Sequence, residues 1–311
     1  MDNSPFVAIN HVGIVAHDLR ALTAFYLQAA GLKPWAAHAT LDFGGPGVAL
    51  AGPNAGLRLM PGGAMPQRRH VSEAGITHLC LQSTAIESLR AAHADAQAAF
   101  HCPLIDLGTG YLYCYARDTE HNVVELEGVA PVWADATPWL AHVNVACADL
   151  PRQCEFYAAL LGAAATRSPR LRNDERLDRI ADLPGVELRM AWVPAGNMQV
   201  ELIHYSQPAY AATTAATTAT SSRRTPGASG HAYIAFEVQD LAAARAHLLA
   251  CGGTLQDERV GTVIGADAEG NPLWLLDRGW LSQHGASVMQ LAQPDIVSRF
   301  NAARAALQGP P

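Results

Sequence analysis

The sequence predicts an α+β protein made of four tandem strand-helix-strand-strand-strand units. Three observations carry that prediction. His11, Asp18, Phe25, Tyr26 and Gly31 return 131 positions later as His142, Asp149, Phe156, Tyr157 and Gly162, and one shared offset is the mark of a duplication. Each half then contains a weaker second copy, opening at Gly75-Ile76-Thr77-His78-Leu79-Cys80-Leu81 and at Gly230-His231-Ala232-Tyr233-Ile234-Ala235-Phe236. Each copy starts with strand-like apolar alternation, passes into a helix and closes on short strands.

Taken in order, unit one spans 8–62 and unit two 75–128, which together make an N-terminal domain of 7–128. Unit two's helix runs from Ile86 to Ala99. Its final strand follows the turn-like cluster Asp118 to Asn122 and reads Val123-Val124-Glu125-Leu126-Glu127. Alternation puts Val124 and Leu126 on one face and Val123, Glu125 and Glu127 on the other. A linker, 129–138, leads to a C-terminal domain, 139–294, with units at 139–208 and 230–294. The Ala-, Thr- and Ser-rich stretch 209–229 lies inside the repeat pattern, so it reads as an inserted low-complexity loop. Unit four's helix, Leu241 to Cys251, stops at Gly252-Gly253.

Spacing gives the positions where chemistry would sit. The interval from first-strand histidine to fourth-strand residue is 47 for His11 to Arg58 and for His78 to Glu125, and 59 for His142 to Glu201 and for His231 to Gln290. The expected fourth strands are Leu57-Arg58-Leu59, Val124-Glu125-Leu126, Val200-Glu201-Leu202 and Met289-Gln290-Leu291. Imidazole and carboxylate on facing strands are the usual donors for a divalent ion such as Zn, Ni, Co, Mn or Fe(II), and rigid strands hold them in place.

Composition removes other classes. A net charge of −7 without any basic run argues against nucleic acid as partner. No apolar run of about 18 residues exists to span a membrane. The six cysteines form no C-x-x-C pair, as expected of buried thiols in a reducing compartment. The expectation is a cytoplasmic monomer or homodimer acting on a small molecule.

With these repeats and spacings on the page, residues 7–294 resemble the vicinal oxygen chelate superfamily. It includes glyoxalase I, methylmalonyl-CoA epimerase, extradiol dioxygenases and the fosfomycin and bleomycin resistance proteins. The resemblance implies two glyoxalase-like domains, metal-binding His on first strands and Glu on fourth strands. It also implies that two units pair to form each of the cupped mixed sheets, with the metal held in the cup. Pairing two with three collects His78, Glu125, His142 and Glu201, a full His-Glu-His-Glu set resembling glyoxalase I. It leaves His11, Arg58, His231 and Gln290 without a carboxylate. Pairing within halves gives His142, Glu201, His231 and Gln290, or else His11, His78 and Glu125 with Arg58. The implied activity is a metal-dependent isomerase or lyase working through an enediolate or enolate, with Glu125 or Glu201 as base. An Fe(II) ring-cleaving dioxygenase is the alternative, with Tyr115 as its acid or base and His101 or His121 as further histidines. A non-catalytic ligand-binding or resistance protein is the third reading. His204, Tyr205 and Glu127 are candidates for the surroundings of a cup, and Arg58 for an anionic group.

Overall fold

The computed structural model describes residues 4–41, 43, 45–131, 136–208 and 228–308. Most of the inserted stretch 209–229 and the middle of the 129–138 linker fall outside the described residues.

Unit one comprises β1 (Phe6–Ala16), α1 (Leu19–Ala29), β2 (Lys33–Pro34), α2 (Ala36–Ala39), β3 (Val48–Ala51) and β4 (Gly56–Pro61). Unit two comprises β5 (Gly75–Ser83), α3 (Ile86–Asp95), β6 (Ala99–Phe100), β7 (Ile105–Asp106), β8 (Leu112–Arg117) and β9 (Val123–Gly128). Unit three comprises β10 (Trp139–Ala146), α4 (Leu150–Leu161), β11 (Thr166–Arg167), α5 (Glu175–Ala181), β12 (Glu187–Pro194) and β13 (Gln199–Gln207). Unit four comprises β14 (Gly230–Val238), α6 (Leu241–Ala250), β15 (Thr254–Arg259), β16 (Thr262–Ala266) and β17 (Pro272–Asp277). After it come α7 (Arg278–Gln283), a 3-10 turn at Val288–Gln290 and α8 (Ile296–Gln308). No described helix is long and apolar enough to cross a membrane.

The recurring residues have local physical reasons. Asp18, Asp149 and Asp240 cap α1, α4 and α6, each carboxylate accepting from a backbone N–H in the first turn. Gly31 and Gly162 follow α1 and α4 in the left-handed region, φ +64° and +65°, where a Cβ is disfavoured. Leu22, Phe25, Tyr26 and Ala29 follow helical periodicity and form the buried face of α1. Tyr26 and Tyr157 place their rings in the core, and their hydroxyls donate to Asp118 and Asp267, each over 3.0 Å.

Those aspartates belong to one motif used twice. Asp118 accepts from the backbone N–H of Glu120 and Asn122 and from the Asn122 amide. Asp267 does the same with Glu269 and Asn271. Glu120 accepts the N–H groups of His17 and Asp18 ahead of α1, and Glu269 those of Ala148 and Asp149 ahead of α4. Each turn therefore fastens an even unit to the odd unit before it.

The sheets connect differently. One runs β15-β16-β17-β14-β1-β4-β3-β2, and the other runs β11-β12-β13-β10-β5-β9-β8-β6 with β7 on β8. Units one and four share the first sheet, and units two and three share the second. The seams β1–β14 and β5–β10 are antiparallel, whereas each unit's first strand lies parallel to its last. One apolar cluster joins the inner faces of α1, α3, α4 and α6 to the backs of both sheets, including Leu79, Leu81, Val124, Leu126, Val200 and Leu202. Alternation then turns His78, Glu125 and Glu201 to the opposite, cup side.

Unit four corrects the expected strand. Its last strand is Pro272–Asp277, and Met289-Gln290-Leu291 lies in and beside the 3-10 turn. Gln290 serves there as the partner of Ser287 in a capping box, so it faces no cup histidine from a strand.

Candidate metal centre

The second sheet brings four expected side chains together. Glu125 on β9 lies beside Cys80 of β5, and Glu201 on β13 lies beside Asn144 of β10. Across the seam, Asn144 faces His78 and His142 faces Cys80. These registers converge His78 and His142 with both carboxylates. His142 Nε2 lies 2.9 Å from Glu125 Oε2 and 3.3 Å from Glu201 Oε2, and His78 Nε2 lies 3.3 Å and 3.2 Å from the same atoms. All four residues are buried.

The donor set fits a divalent cation. Two imidazoles and two carboxylates offer one ligand atom each, mutually within 4.8 Å. Donor separations near 3 Å are the edges expected for bonds of about 2.1 Å around one ion. The electrostatics agree, because two buried carboxylates this close require compensating positive charge. With no ion, that charge must come from protons. Burial pulls the His142 imidazole down, but Glu201 and Glu125 raise it, to about 9. His78 is also raised by the two glutamates against its burial. The hydrogen bonds and charge of His142 and His78 outweigh burial at Glu125 and bring its carboxyl to about 2.

Neighbouring groups complete the cup. The Trp192 indole N–H donates to Glu201 Oε1 over 2.8 Å, and the Asn144 amide donates to Glu201 Oε2 over 3.0 Å. Asn144 Oδ1 in turn accepts from the Thr77 hydroxyl. Tyr115, opposite Glu125 in the β8–β9 register, brings its hydroxyl to 3.5 Å from His78 Nε2. Burial and Glu125 push that phenol well above its usual range. Glu127 accepts from Gln82 over 2.6 Å, and burial with Glu125 raises its carboxyl to about 7. Cys80 and Glu127 also approach His142. Leu177, Ile180, Ala181 and Leu183 of α5 and its flank pack with Tyr115, Leu188, Ile203 and Tyr205. Ile296, Val297 and Phe300 of α8 pack on Cys80 and Trp139.

The first sheet repeats this plan with other side chains. Gly13 lies beside Arg58 and faces Tyr233, as Asn144 lies beside Glu201 and faces His78. Trp274 lies beside Ala235, as Glu125 lies beside Cys80. The four positions thus hold His11, Arg58, Tyr233 and Trp274, with no carboxylate. His11 Nε2 is 3.0 Å from the Tyr233 hydroxyl, and Tyr233 stacks on Trp274 at 4.1 Å. The guanidinium of Arg58 lies over Phe43, 4.8 Å from the ring centre. Gly13 permits this packing, since a Cβ there would lie 2.1 Å from the Tyr233 ring. Burial, His38 and Arg58 all lower His11, keeping it neutral beside a fixed cation. This cup is filled by aromatic rings and an arginine, and its charge opposes a metal ion.

The other expectations resolve residue by residue. His11 lies in a different sheet from His78 and Glu125, so that set is not assembled. His231 and Gln290 do not join His142 and Glu201: His231 pairs with Ile14 on β1, two residues ahead of the position equivalent to His78. His101 bonds the Ile180 carbonyl and accepts from Arg117. His121 is exposed in the 118–122 turn. His204 bonds the Cys147 carbonyl on the sheet's helix side. Tyr205 is buried near Glu201, whose charge adds to burial in raising it.

Sequence reasoning missed Asn144, Trp192, Tyr233 and Trp274. Two signals would have found the last two. Aligning Gly75 with Gly230 puts Tyr233 under His78. Aligning Asp118-x-Glu120-x-Asn122 with Asp267-x-Glu269-x-Asn271 puts Trp274 under Glu125.

Comparison with known proteins follows the same division into halves. The family model described as Glyoxalase/Bleomycin resistance protein/Dioxygenase superfamily matches residues 8–126 and 139–269. No curated protein matches the chain. Among solved structures, glyoxalase I from Zea mays superposes with a TM-score of 0.61 at 15% identity, covering 90% of this chain and 96% of that one. A candidate dioxygenase from Bacillus subtilis subsp. subtilis str. 168 superposes with a TM-score of 0.60 at 10% identity, covering 97% of each chain. At these identities the likeness is one of fold.

Proposed function

The chain belongs to the glyoxalase/bleomycin resistance protein/dioxygenase superfamily, and from that premise we propose that it is a metal-dependent isomerase or lyase of the glyoxalase type. Its substrate is a small molecule with two neighbouring oxygens. The observation that carries this reading is the second carboxylate: His78, His142, Glu125 and Glu201 meet in one cup. A ring-cleaving dioxygenase needs two histidines and a single carboxylate.

These four residues would hold the divalent ion, which supplies Lewis acidity toward the substrate's paired oxygens. The remaining work falls to the protein. Glu125 is the general base that takes the proton beside the carbonyl and returns it at the adjacent carbon. Among the described residues its carboxylate accepts only from the two histidines, whose protons the ion would replace, so it is freer to move than Glu201. Glu201 is tethered at both oxygens and stays in place. All four side chains are buried, and the low dielectric around them strengthens each charge interaction inside the cup.

The test is hydrogen exchange from deuterated solvent into small α-hydroxycarbonyl and α-ketoaldehyde adducts by the metal-loaded full chain. Exchange that vanishes in a folded Glu125→Ala variant is expected. Undiminished exchange in that variant contradicts the reading. The dioxygenase reading draws on the Tyr115 hydroxyl beside His78, and it predicts oxygen uptake with catechols after anaerobic iron loading.

A further inference from the structure

The two carboxylates occupy equivalent positions in repeated units, yet their surroundings differ. Trp192 faces Glu201 across β12–β13, just as Tyr115 faces Glu125 across β8–β9. The two aromatic residues behave differently from there. The Trp192 indole N–H donates to Glu201 Oε1 over 2.8 Å. The Tyr115 hydroxyl passes Glu125 and approaches His78 Nε2. Asn144, beside Glu201 on the parallel neighbour β10, adds a donor to Glu201 Oε2 at 3.0 Å, whereas the counterpart beside Glu125, Cys80 on β5, turns its thiol to Glu127. In the filled cup, the residues opposite Arg58 and Trp274 are Ala49 and Ile264, which have no side-chain donor. The indole donor is therefore peculiar to one of four equivalent sites.

We infer that Trp192 is a positioning residue that acts through Glu201, orienting its carboxylate so that one oxygen faces the ion and cannot rotate away. The physical reason is the two-oxygen geometry of a carboxylate. An unsupported glutamate has three rotatable bonds along its side chain, and rotation about the last of them can turn either oxygen inward. A 2.8 Å N–H···O bond to Oε1 leaves Oε2 pointing at His78 and His142. An outer donor that fixes a ligand in this way typically contributes 10- to 100-fold in metal affinity. Trp192 is only partly buried, so the indole body also forms wall at this end of the cup. Its phenylalanine replacement keeps an aromatic ring at that wall and removes the donor with part of the indole body, and any effect of the lost bulk is common to every background of the cycle below.

This inference rests on the metal-holding reading above, and a double-mutant cycle separates the two. The affinity of the full chain for Co2+ is measured by chelator competition in wild type, Trp192→Phe, Glu201→Ala and their double variant, with Glu125→Gln and Trp192→Phe/Glu125→Gln as the control pair. Thermal midpoints of the metal-free proteins are recorded alongside. The expected result is a loss of about 10-fold in Trp192→Phe, no additional loss when it is added to Glu201→Ala, and the full loss when it is added to Glu125→Gln. A merely structural tryptophan would give equal losses in all three backgrounds, and that result overturns the inference. Wild-type affinity in Trp192→Phe overturns it as well. Failure of the wild-type chain to bind Co2+ at all overturns the metal-holding reading, and this inference with it.

Discussion

Removing the proton partner at His142 should change how the metal-free protein responds to pH. Its imidazole sits at about 9 in the fold against an ordinary 6.5, because Glu201 and Glu125 outweigh the cost of burying it. A raised value means that the folded state binds the proton more tightly than the unfolded chain does. The resulting stabilisation is complete below about 6.5 and disappears as pH rises through about 9. The gap corresponds to about 3 kcal/mol, a large share of the 5–15 kcal/mol typical of a folded domain. The assay is urea unfolding of chelator-treated protein at pH 6.5, 8 and 9.5, set against His142→Gln to cancel the titrating groups remote from the cup. The wild type should lose about 3 kcal/mol more than the variant across that range. Metal-loaded wild type should not show the loss, because the ion takes the place of the proton. Parallel pH profiles for wild type and His142→Gln would refute the reasoning.

Two further outcomes follow from the same structure. Metal binding must displace the protons that hold the cup together, so affinity should rise about tenfold per pH unit per displaced proton between pH 7 and 9, read by chelator competition at fixed ionic strength. Asp118→Ala removes the acceptor of four hydrogen bonds, from the Glu120 and Asn122 N–H groups, the Asn122 amide and the Tyr26 hydroxyl. With about 1–3 kcal/mol for each buried group left unmatched, a stability loss above about 3 kcal/mol is expected in denaturant titrations, and Asp267→Ala should cost a comparable amount.

Much of the fold was legible because repeated residues perform repeated local tasks. Asp18 and Asp149 cap, Gly31 and Gly162 terminate, and Tyr26 and Tyr157 reach equivalent aspartate turns at Asp118 and Asp267. Such tasks leave a fixed offset in the sequence. The pairing of units was not legible in the same way, because antiparallel seams between first strands form equally well in either arrangement. The seams β5–β10 and β1–β14 are choices made by long-range packing. Unit four was misplaced by a coincidence of spacing. The interval of 59 drew attention to His231 and Gln290, although the position equivalent to His78 had become Tyr233 and the one equivalent to Glu125 had become Trp274. Loss of the ligand residues erased the signal by which that strand would have been recognised. Asn144 and Trp192 were hidden for another reason: an amide and an indole show their role only when the strand register brings them to a carboxylate.

The central claim is that one cup, formed by β5, β9, β10 and β13, holds a single divalent ion while the other is packed shut. Elemental analysis of the metal-loaded chain after gel filtration, in wild type, His11→Ala and Glu125→Gln/Glu201→Gln, tests it most directly. One equivalent per chain in wild type and in His11→Ala, with loss in the double glutamine variant, is the predicted result. Two equivalents per chain, or binding that depends on His11 and survives loss of both glutamates, would contradict it.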